Sequence, residues 1–158
     1  MLSTGFHFVF HLFIFRDIKL ENIVLGENEQ GETIVKLIDF GCATYFTSGQ
    51  QKMSEQYGSI FYIDPEVLLC SYSEKCDLWS IGIIAYACLF GSFPFDHAEE
   101  DQIARMILTQ RVKFSVEQKE LCSKRSRKFI RSMLDQKKRI SLEEALKSKW
   151  MKFWLRKQ

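Results

Sequence analysis

The sequence predicts a mainly α fold that carries one small β-hairpin. Two short runs rich in β-branched residues, 23–25 and 35–38, flank a spacer rich in Gly, Asn and Glu. Residues 77–90 form a continuous apolar segment with the length of a buried helix. From about Glu99 onward, apolar side chains recur with a helical period. These patterns predict a hairpin region followed by a helical body, within one domain of 158 residues.

Composition narrows the class of protein further. Apolar residues make up 46% and charged residues 27% of the chain, which excludes disordered and low-complexity proteins. The five cysteines are odd in number and form no C-x-x-C pair. We therefore expect a reduced, cytoplasmic protein without a disulfide framework or a zinc site.

The first element, residues 1–15, is almost wholly apolar and aromatic. It lacks the basic start and the small-residue cleavage site of a signal peptide. Its continuous apolar run is also shorter than the roughly 20 residues that span a bilayer. Two interpretations remain: a buried strand that leads into the next segment, or an accident of where the chain begins. The predicted domain therefore begins at residue 16, and residues 1–15 form a separate segment.

The hairpin and a long loop come next. The spacer GENEQGET at residues 26–33 is typical of a turn between two antiparallel strands. Residues 41–62 contain Gly, Ser, Thr and Gln with little periodicity, so they predict an irregular loop. A loop of that length inside a compact domain usually serves a function.

The helical body follows. Residues 77–90 are apolar on every face but too few to span a membrane, so they predict a helix buried in the core. Ser141, with Glu144 three residues later, forms a capping-box pattern that opens the last helix. Residues 153–158 form a short basic tail. The helical period after Glu99 places Ile103, Ile107 and Leu108 on one face, and it continues with Phe129, Ile130, Met133 and Leu134.

Charge is distributed unevenly along the chain. Residues 1–110 contain 6 basic and 15 acidic residues, a net charge of −9, whereas residues 111–158 contain 16 and 5, a net charge of +11. A basic C-terminal segment of this kind can bind nucleic acid or a membrane surface, and steep salt dependence of binding would be the evidence for either. Because these cations alternate with a helical apolar pattern, the preferred interpretation is a solvated helix face. We therefore expect no nucleic-acid and no membrane partner.

Three polar side chains stand where the hairpin strands begin and end. Asp17 and Asn22 precede the first strand and Asp39 follows the second, so antiparallel pairing brings them to neighbouring strand ends. Two carboxylates and an amide form the oxygen-rich kind of site that holds Mg²⁺ together with phosphate. Lys19 could neutralise a phosphoryl oxygen between them. The alternative is that strand ends and turns simply collect Asp and Asn.

Five motifs occur in a fixed order along the chain. Residues 16–22 match R-D-x-K-x-x-N, and residues 39–41 read D-F-G. Residues 58–66 end in D-P-E, residues 77–82 read D-L-W-S-I-G, and Arg139 precedes the last helices. In this order and spacing the chain resembles the large, C-terminal lobe of eukaryotic serine/threonine protein kinases. Within that family it looks most like the calcium/calmodulin-dependent protein kinase group.

The resemblance implies a kinase large lobe over residues 16–152, a helical bundle with its β-hairpin at the catalytic cleft. Asp17 would accept or orient the proton of the substrate hydroxyl, and Lys19 would stabilise the transferred phosphoryl group. Asn22 and Asp39 would hold Mg²⁺. Asn22 also counts among the catalytic residues. The implied reaction moves the γ-phosphoryl group of ATP to a Ser or Thr hydroxyl of a protein.

Further residues take roles from the same resemblance. Val24 stands at the floor of the adenine site, although a strand valine also fits an ordinary core. Ser59 is typical of family members that are specific for Ser and Thr. Glu21 is typical of members that recognise a basic residue upstream of the phosphorylated residue. The alternative for Glu21 is an ordinary exposed glutamate in a loop. Glu55 stands where a phosphorylated residue docks on Arg16 in many members. A solvent-exposed glutamate in a loop is the alternative there too.

Structural roles are implied as well. Glu66 would pair with Arg139, and Asp77 would brace the catalytic loop or merely cap the helix it begins. The C-terminal tail begins like the basic amphipathic segments that calmodulin binds. Calmodulin or a calcium-sensing segment is therefore an expected partner of a longer form, beside protein substrates.

The sequence also departs from the family pattern. Phe15 replaces the family's His, where it can fill the same apolar slot against Phe40, and Asp64 replaces the Ala of A-P-E. No glycine-rich loop and no strand lysine precede residue 16, so the lobe that clamps ATP is missing from this sequence. We expect a fragment or a truncated form of a kinase. The alternative is a catalytically inactive, kinase-like interaction module.

Overall fold

The structure is a computed structural model that describes residues 11–47 and 52–155. Residues 1–10 of the apolar N-terminal segment and residues 156–158 of the basic tail lie outside the described part. Within the described part, seven α-helices outweigh four short strands. The predicted mainly α fold is therefore confirmed.

The predicted β-hairpin is present. Strand β2 (Ile23–Glu27) pairs antiparallel with β3 (Thr33–Leu37), so that Ile23 lies opposite Leu37. In the turn, the side-chain oxygen of Asn28 accepts hydrogen bonds from the backbone N–H groups of Gln30 and Glu32, at 3.0 and 2.8 Å. An asparagine that bonds to the backbone ahead of it is a common turn former, which explains why the spacer folds back here.

A second sheet joins two segments that are distant in sequence. Strand β1 (His11–Ile14) pairs antiparallel with β4 (Thr44–Thr47). The prediction of an irregular loop from residue 41 is therefore wrong over β4. Strand β4 has only four residues, which is too short a segment for an alternating pattern to stand out in the sequence. Ile14 and Phe46 are both buried, so the sheet contributes to the core.

The helical body begins with a short turn and continues through a long central helix. Four serine or aspartate caps, at residues 64, 115, 123 and 141, each accept a backbone N–H of the first turn that follows. The capping box predicted at Ser141 with Glu144 is confirmed. The helices are α1 (Pro65–Leu68), α2 (Lys75–Phe90), α3 (Glu100–Thr109), α4 (Val116–Leu121), α5 (Lys124–Met133), α6 (Leu142–Leu146) and α7 (Lys149–Leu155).

Helix α2 lies at the centre of the core. Trp79 and Ile83 of α2 are fully buried, and Met133 of α5 packs in the same cluster. The close approach of the two helices depends on Gly82, where an added Cβ would lie 2.8 Å from the Cδ2 atom of Leu134. Any larger residue at position 82 would therefore push the end of α5 away from α2.

Two predictions about burial are wrong in detail. Helix α2 is not buried on every face, because Ile81 and Leu89 are exposed. Leu108 is also exposed, whereas Ile103 and Ile107 of the same helix are buried. Leu89 and Ile81 each line a surface hollow, and apolar composition alone did not reveal that these side chains face away from the core. Among residues 11–47 and 52–155, no helix combines the length and the apolar character needed to cross a membrane.

Candidate active site

The loop that follows β1 is suspended from the central helix. The backbone N–H groups of Phe15 and Arg16 donate to the two carboxylate oxygens of Asp77, each at 2.9 Å. Asp77 lies in the first turn of α2. Burial raises the pKa of Asp77, and the two N–H donors act in the opposite direction because they favour the charged form. The carboxylate thus fixes the loop to the core, at the place where bracing was predicted.

Asp17 is the centre of a compact polar cluster. Its Oδ2 lies 2.7 Å from Lys19 Nζ, and its Oδ1 accepts from the backbone N–H of Ser59 at 3.1 Å. The Ser59 hydroxyl lies 3.3 Å from the same Oδ1 and accepts from Lys19 Nζ at 3.0 Å. The hydrogen bond to Asp17 raises the pKa of Lys19 and outweighs the effect of burial. An anion, a cation and a hydroxyl therefore share one site, with the lysine held in its charged form.

Ser59 reaches this cluster because a glycine precedes it. Gly58 has a φ of +111°, a backbone conformation that side chains disfavour. A Cβ on Gly58 would lie 3.1 Å from the carbonyl oxygen of Arg16. The chain can pass over the Asp17 loop at this distance only without a side chain, so glycine sets the position of Ser59.

Asn22 and Asp39 lie at the base of the hairpin, as the antiparallel pairing predicts. The backbone carbonyl of Asn22 accepts from Ile38 N–H at 2.9 Å, which ties the start of β2 to the residue before Asp39. The Asn22 amide nitrogen donates to the Asp17 carbonyl oxygen at 3.0 Å, which leaves the Asn22 amide oxygen as the atom that could ligate a cation. Asp39 adopts a left-handed φ of 62°, and its Oδ1 accepts from Gly41 N–H at 3.0 Å.

The donor set suits Mg²⁺ in its chemistry. A carboxylate and an amide oxygen are hard ligands, and Mg²⁺ usually takes only one or two protein ligands beside phosphate and water. No group of three or more His, Cys, Asp or Glu side chains in the described part of the chain forms an all-protein metal cage. The residues present therefore fit a cation that arrives with phosphate groups.

Two further predicted residues lie close by on the surface. Val24 is exposed on β2, so in this structure it is not a core valine. Glu21 is exposed in the 3₁₀ turn Leu20–Asn22. Burial raises the pKa of the Tyr62 hydroxyl, and the negative charge of Glu21 raises it further. Glu21 thus presents an anion at the edge of the cluster.

The Arg16 side chain links the loop to the segment before Gly58. Its Nη1 lies 3.0 Å from Glu55 Oε2, its Nε donates to the Cys42 carbonyl oxygen, and its guanidinium lies 4.2 Å from the centre of the Tyr57 ring. Burial lowers the pKa of Arg16, but Tyr72 and Glu55 raise it by more. Arg16 is 9% exposed and Glu55 is 66% exposed, so the anion sits in solvent and the cation does not.

The predicted pair of Glu66 with Arg139 is absent. Arg139 instead forms a two-pronged pair with Asp64: Nη1 contacts Oδ2, and Nη2 contacts Oδ1 at 3.1 Å. Both side chains are buried, whereas Glu66 is half-buried and lies 3.8 Å from the exposed Lys52. Asp64 also caps α1 through Glu66 N–H at 2.7 Å. Asp64 lies two residues before Glu66, and its side chain is the one that is buried against the arginine.

Phe15 fills the slot expected for it. Its ring centre lies 5.3 Å from that of Phe40 and 5.2 Å from that of Phe13. An imidazole at this position would make a hydrogen bond. The phenylalanine makes aromatic ring contacts instead.

Sequence reasoning missed three contributors to this region. Cys42 acts through its backbone carbonyl, and Tyr57 through the face of its ring. Neither contact has a sequence pattern. Asp64 did carry a local signal, because Asp before Pro is a common start of a helix. Its pairing with an arginine 75 residues later carried none.

The chain matches one protein family and resembles several known proteins. The family described as "Protein kinase domain" matches residues 2–151. Calcium-dependent protein kinase 4 of Plasmodium berghei is 37% identical over 141 residues, which cover 88% of this chain and 26% of that protein. Calcium-dependent protein kinase 27 of Arabidopsis thaliana is 40% identical over 139 residues, or 87% and 28% of the two chains. CDPK-related kinase 4 of Arabidopsis thaliana is 35% identical over 147 residues, or 90% and 24%. The chain spans about a quarter of the length of these relatives.

Proposed function

The chain belongs to the protein kinase domain family, and on that premise we propose that it carries the catalytic-loop half of a serine/threonine protein kinase. The reaction is transfer of the γ-phosphoryl group of ATP to a protein hydroxyl. The observation that carries the proposal is the cluster of Asp17, Lys19 and Ser59, held within 2.7–3.3 Å of one another on a loop fixed to the core.

Each member of the cluster has one task. Asp17 orients the substrate hydroxyl and receives its proton on a carboxylate oxygen as the oxygen attacks phosphorus. Lys19, held protonated by Asp17, offsets charge on the phosphoryl oxygens. Ser59 bridges the two and acts as a positioning residue. Its presence supports Ser and Thr as the acceptor residues.

When bound, ATP would be the phosphoryl donor, and Mg²⁺ would offset the negative charge of its phosphate groups. Asn22 and Asp39 are the residues that would hold the cation, through an amide oxygen and a carboxylate oxygen. Val24, exposed on the strand that follows Asn22, would provide an apolar surface for the adenine ring.

The surroundings support a substrate class and a mode of regulation. Glu21 offers an exposed carboxylate next to the cluster, which suits substrates with Arg or Lys upstream of the phosphorylated residue. Glu55 supplies Arg16 with a permanent negative charge where a phosphate would supply a larger one. The relatives are named as calcium-dependent kinases, which supports a calcium-sensing segment in a longer form of this protein. A cytoplasmic location is part of the same proposal.

The test is transfer of radiolabelled phosphate from ATP with Mg²⁺ to a serine peptide that carries upstream arginines. It is measured with the 158-residue chain alone and with the chain fused behind the small lobe of a relative. We expect label from the fusion, and a loss of at least about a hundredfold in its Asp17→Asn variant, because a general base typically contributes about 10²–10⁴-fold.

A matched control is Asp96→Asn, an exposed aspartate outside the cluster, which should leave the rate unchanged. Label that survives Asp17→Asn would exclude Asp17 as the base. A fusion that folds but transfers no label would favour the alternative function, a kinase-like interaction module.

A further inference from the structure

A groove of about 620 Å³ opens between the end of α4, the first turn of α5 and helix α7. Its apolar lining consists of Leu89, Leu121, Trp150, Phe153 and Trp154. No residue of the candidate active site lines it. Largely apolar hollows of about 300–1,000 Å³ with a few polar groups are the usual form of a binding site.

The walls of the groove are fixed in advance. The Arg127 guanidinium donates to the Cys122 carbonyl oxygen and so holds the turn between α4 and α5. The Trp150 indole N–H donates to the Ser126 hydroxyl at 3.2 Å, and its ring stacks on that of Phe129 at 4.8 Å between centres. The groove therefore needs little rearrangement to accept a ligand, which lowers the entropic cost of binding.

The apolar residues of the groove are largely open to solvent. Leu121 is 75% exposed and Trp154 is 51% exposed, and Leu89 and Phe153 are exposed beside them. Single exposed apolar residues are common, but a contiguous patch with a polar rim marks a site of protein association.

The rim of the groove is basic. Lys124 and Arg125 line it in the first turn of α5, and neither the lining nor that turn contains an acidic residue. Within residues 11–47 and 52–155, no ion pair involves either cation. Cations at the start of a helix also oppose its dipole. The charge at this rim therefore forms no ion pair within the described chain and is complementary to an acidic partner.

We propose that this groove binds an acidic amphipathic helix of another protein. Trp150, Phe153 and Trp154 are spaced i, i+3 and i+4 on α7, the pattern with which one helix packs along another. Apolar side chains at the same spacing on the partner would enter the groove, and its acidic flanks would pair with Lys124 and Arg125. A second copy of the chain in a symmetric pair is the weaker occupant, because it would oppose two C-terminal segments, residues 111–158, that each carry a net charge of +11.

The probe is a fluorescent helical peptide with Leu at i, i+3, i+4 and i+7 and Glu at most other positions. Binding to the 158-residue chain is followed by fluorescence anisotropy. We expect saturable binding that Leu121→Glu weakens by at least about tenfold, as for a hot-spot residue. The double variant Lys124→Glu/Arg125→Glu should weaken it by a similar factor. The matched double variant Lys36→Glu/Lys113→Glu, at exposed lysines outside the groove, should leave binding within twofold.

A second peptide with Lys in place of Glu keeps the same apolar face and should bind at least about tenfold more weakly. All variants are first checked for an unchanged thermal unfolding midpoint. Equal binding by the two peptides, or equal loss in the Lys36/Lys113 control, would overturn the proposal. Binding of anionic vesicles that depends on the same three groove residues and exceeds peptide binding would also overturn it, in favour of a lipid surface.

Discussion

The buried pair of Asp64 and Arg139 makes the sharpest stability prediction. The two side chains are 1% and 4% exposed, and Arg139 also donates to the Lys75 carbonyl oxygen at 2.9 Å. Asp64→Ala leaves a buried guanidinium without its anion, which costs about 3–5 kcal/mol. A domain of this kind has a total stability of about 5–15 kcal/mol, so the variant loses a large part of it. At about 2–4 °C per kcal/mol, its midpoint should fall by about 6–20 °C.

Urea unfolding followed by tryptophan fluorescence measures this change. The Arg139 guanidinium lies 5.0 Å from the centre of the Trp79 ring, so the probe sits beside the pair. The double variant Asp64→Ala/Arg139→Met should be less destabilised than the sum of the two single variants, because it leaves no unpaired charge.

Glu66→Ala is the matched control. Among the described residues, its carboxylate forms an ion pair with the exposed Lys52 alone, at 3.8 Å, so the expected loss is about 0–1 kcal/mol. If Glu66→Ala proves more destabilising than Asp64→Ala, the arginine is paired with Glu66 and the reasoning from the structure is refuted.

Four smaller predictions concern single positions. Gly58→Ala should cost about 1–3 kcal/mol in urea unfolding, because a Cβ at a φ of +111° meets the carbonyl oxygen of Arg16; a neutral result would exclude the positive φ. Ser141→Ala should cost about 1 kcal/mol and reduce helix content by circular dichroism, since it removes a capping box. Two backbone N–H donors lower the pKa of Asp135, so its stabilisation is present above the ordinary pKa and is lost as pH falls through the lowered one. Asp135→Asn should therefore lower the urea midpoint at pH 7, and the gap should close below about pH 4; a gap that does not change with pH would contradict this. Glu55→Ala should change stability by less than about 1 kcal/mol, because the Glu55 carboxylate is exposed, and a larger loss would show that the Arg16 pair is shielded.

Most of the helical body was predictable because its signals are local. The Ser141 capping box and the four-residue spacing of Ile103 and Ile107 both depend on neighbours within one or two helical turns. Strand β4 and the exposed face of α2 were not predictable in this way. Pairing with β1 decides the first, and the packing of distant segments against only part of α2 decides the second.

The candidate site likewise contains a part that the sequence predicts and a part that it does not. The positions of Asp17, Asn22 and Asp39 at the ends of two antiparallel strands were enough to predict that they lie at the base of one hairpin. The partner of Arg139 could not be decided from sequence, since Asp64 and Glu66 are two residues apart and both are acidic. Only the burial of Asp64 selects between them.

The suspension of the active-site loop from Asp77 has a consequence for its fluctuations. The amides of Phe15 and Arg16 are bonded to an element of the central core, not to a neighbouring strand. Because the Asp77 carboxylate is partly buried at the start of α2, releasing both amides would leave it without these two donors, which couples their opening to that of the core. Their hydrogen exchange should therefore be as slow as that of the core, while the two-stranded hairpin beside them exchanges by local opening. Correct loop geometry is then an all-or-none property of the molecule, and it is lost in the same transition as the fold.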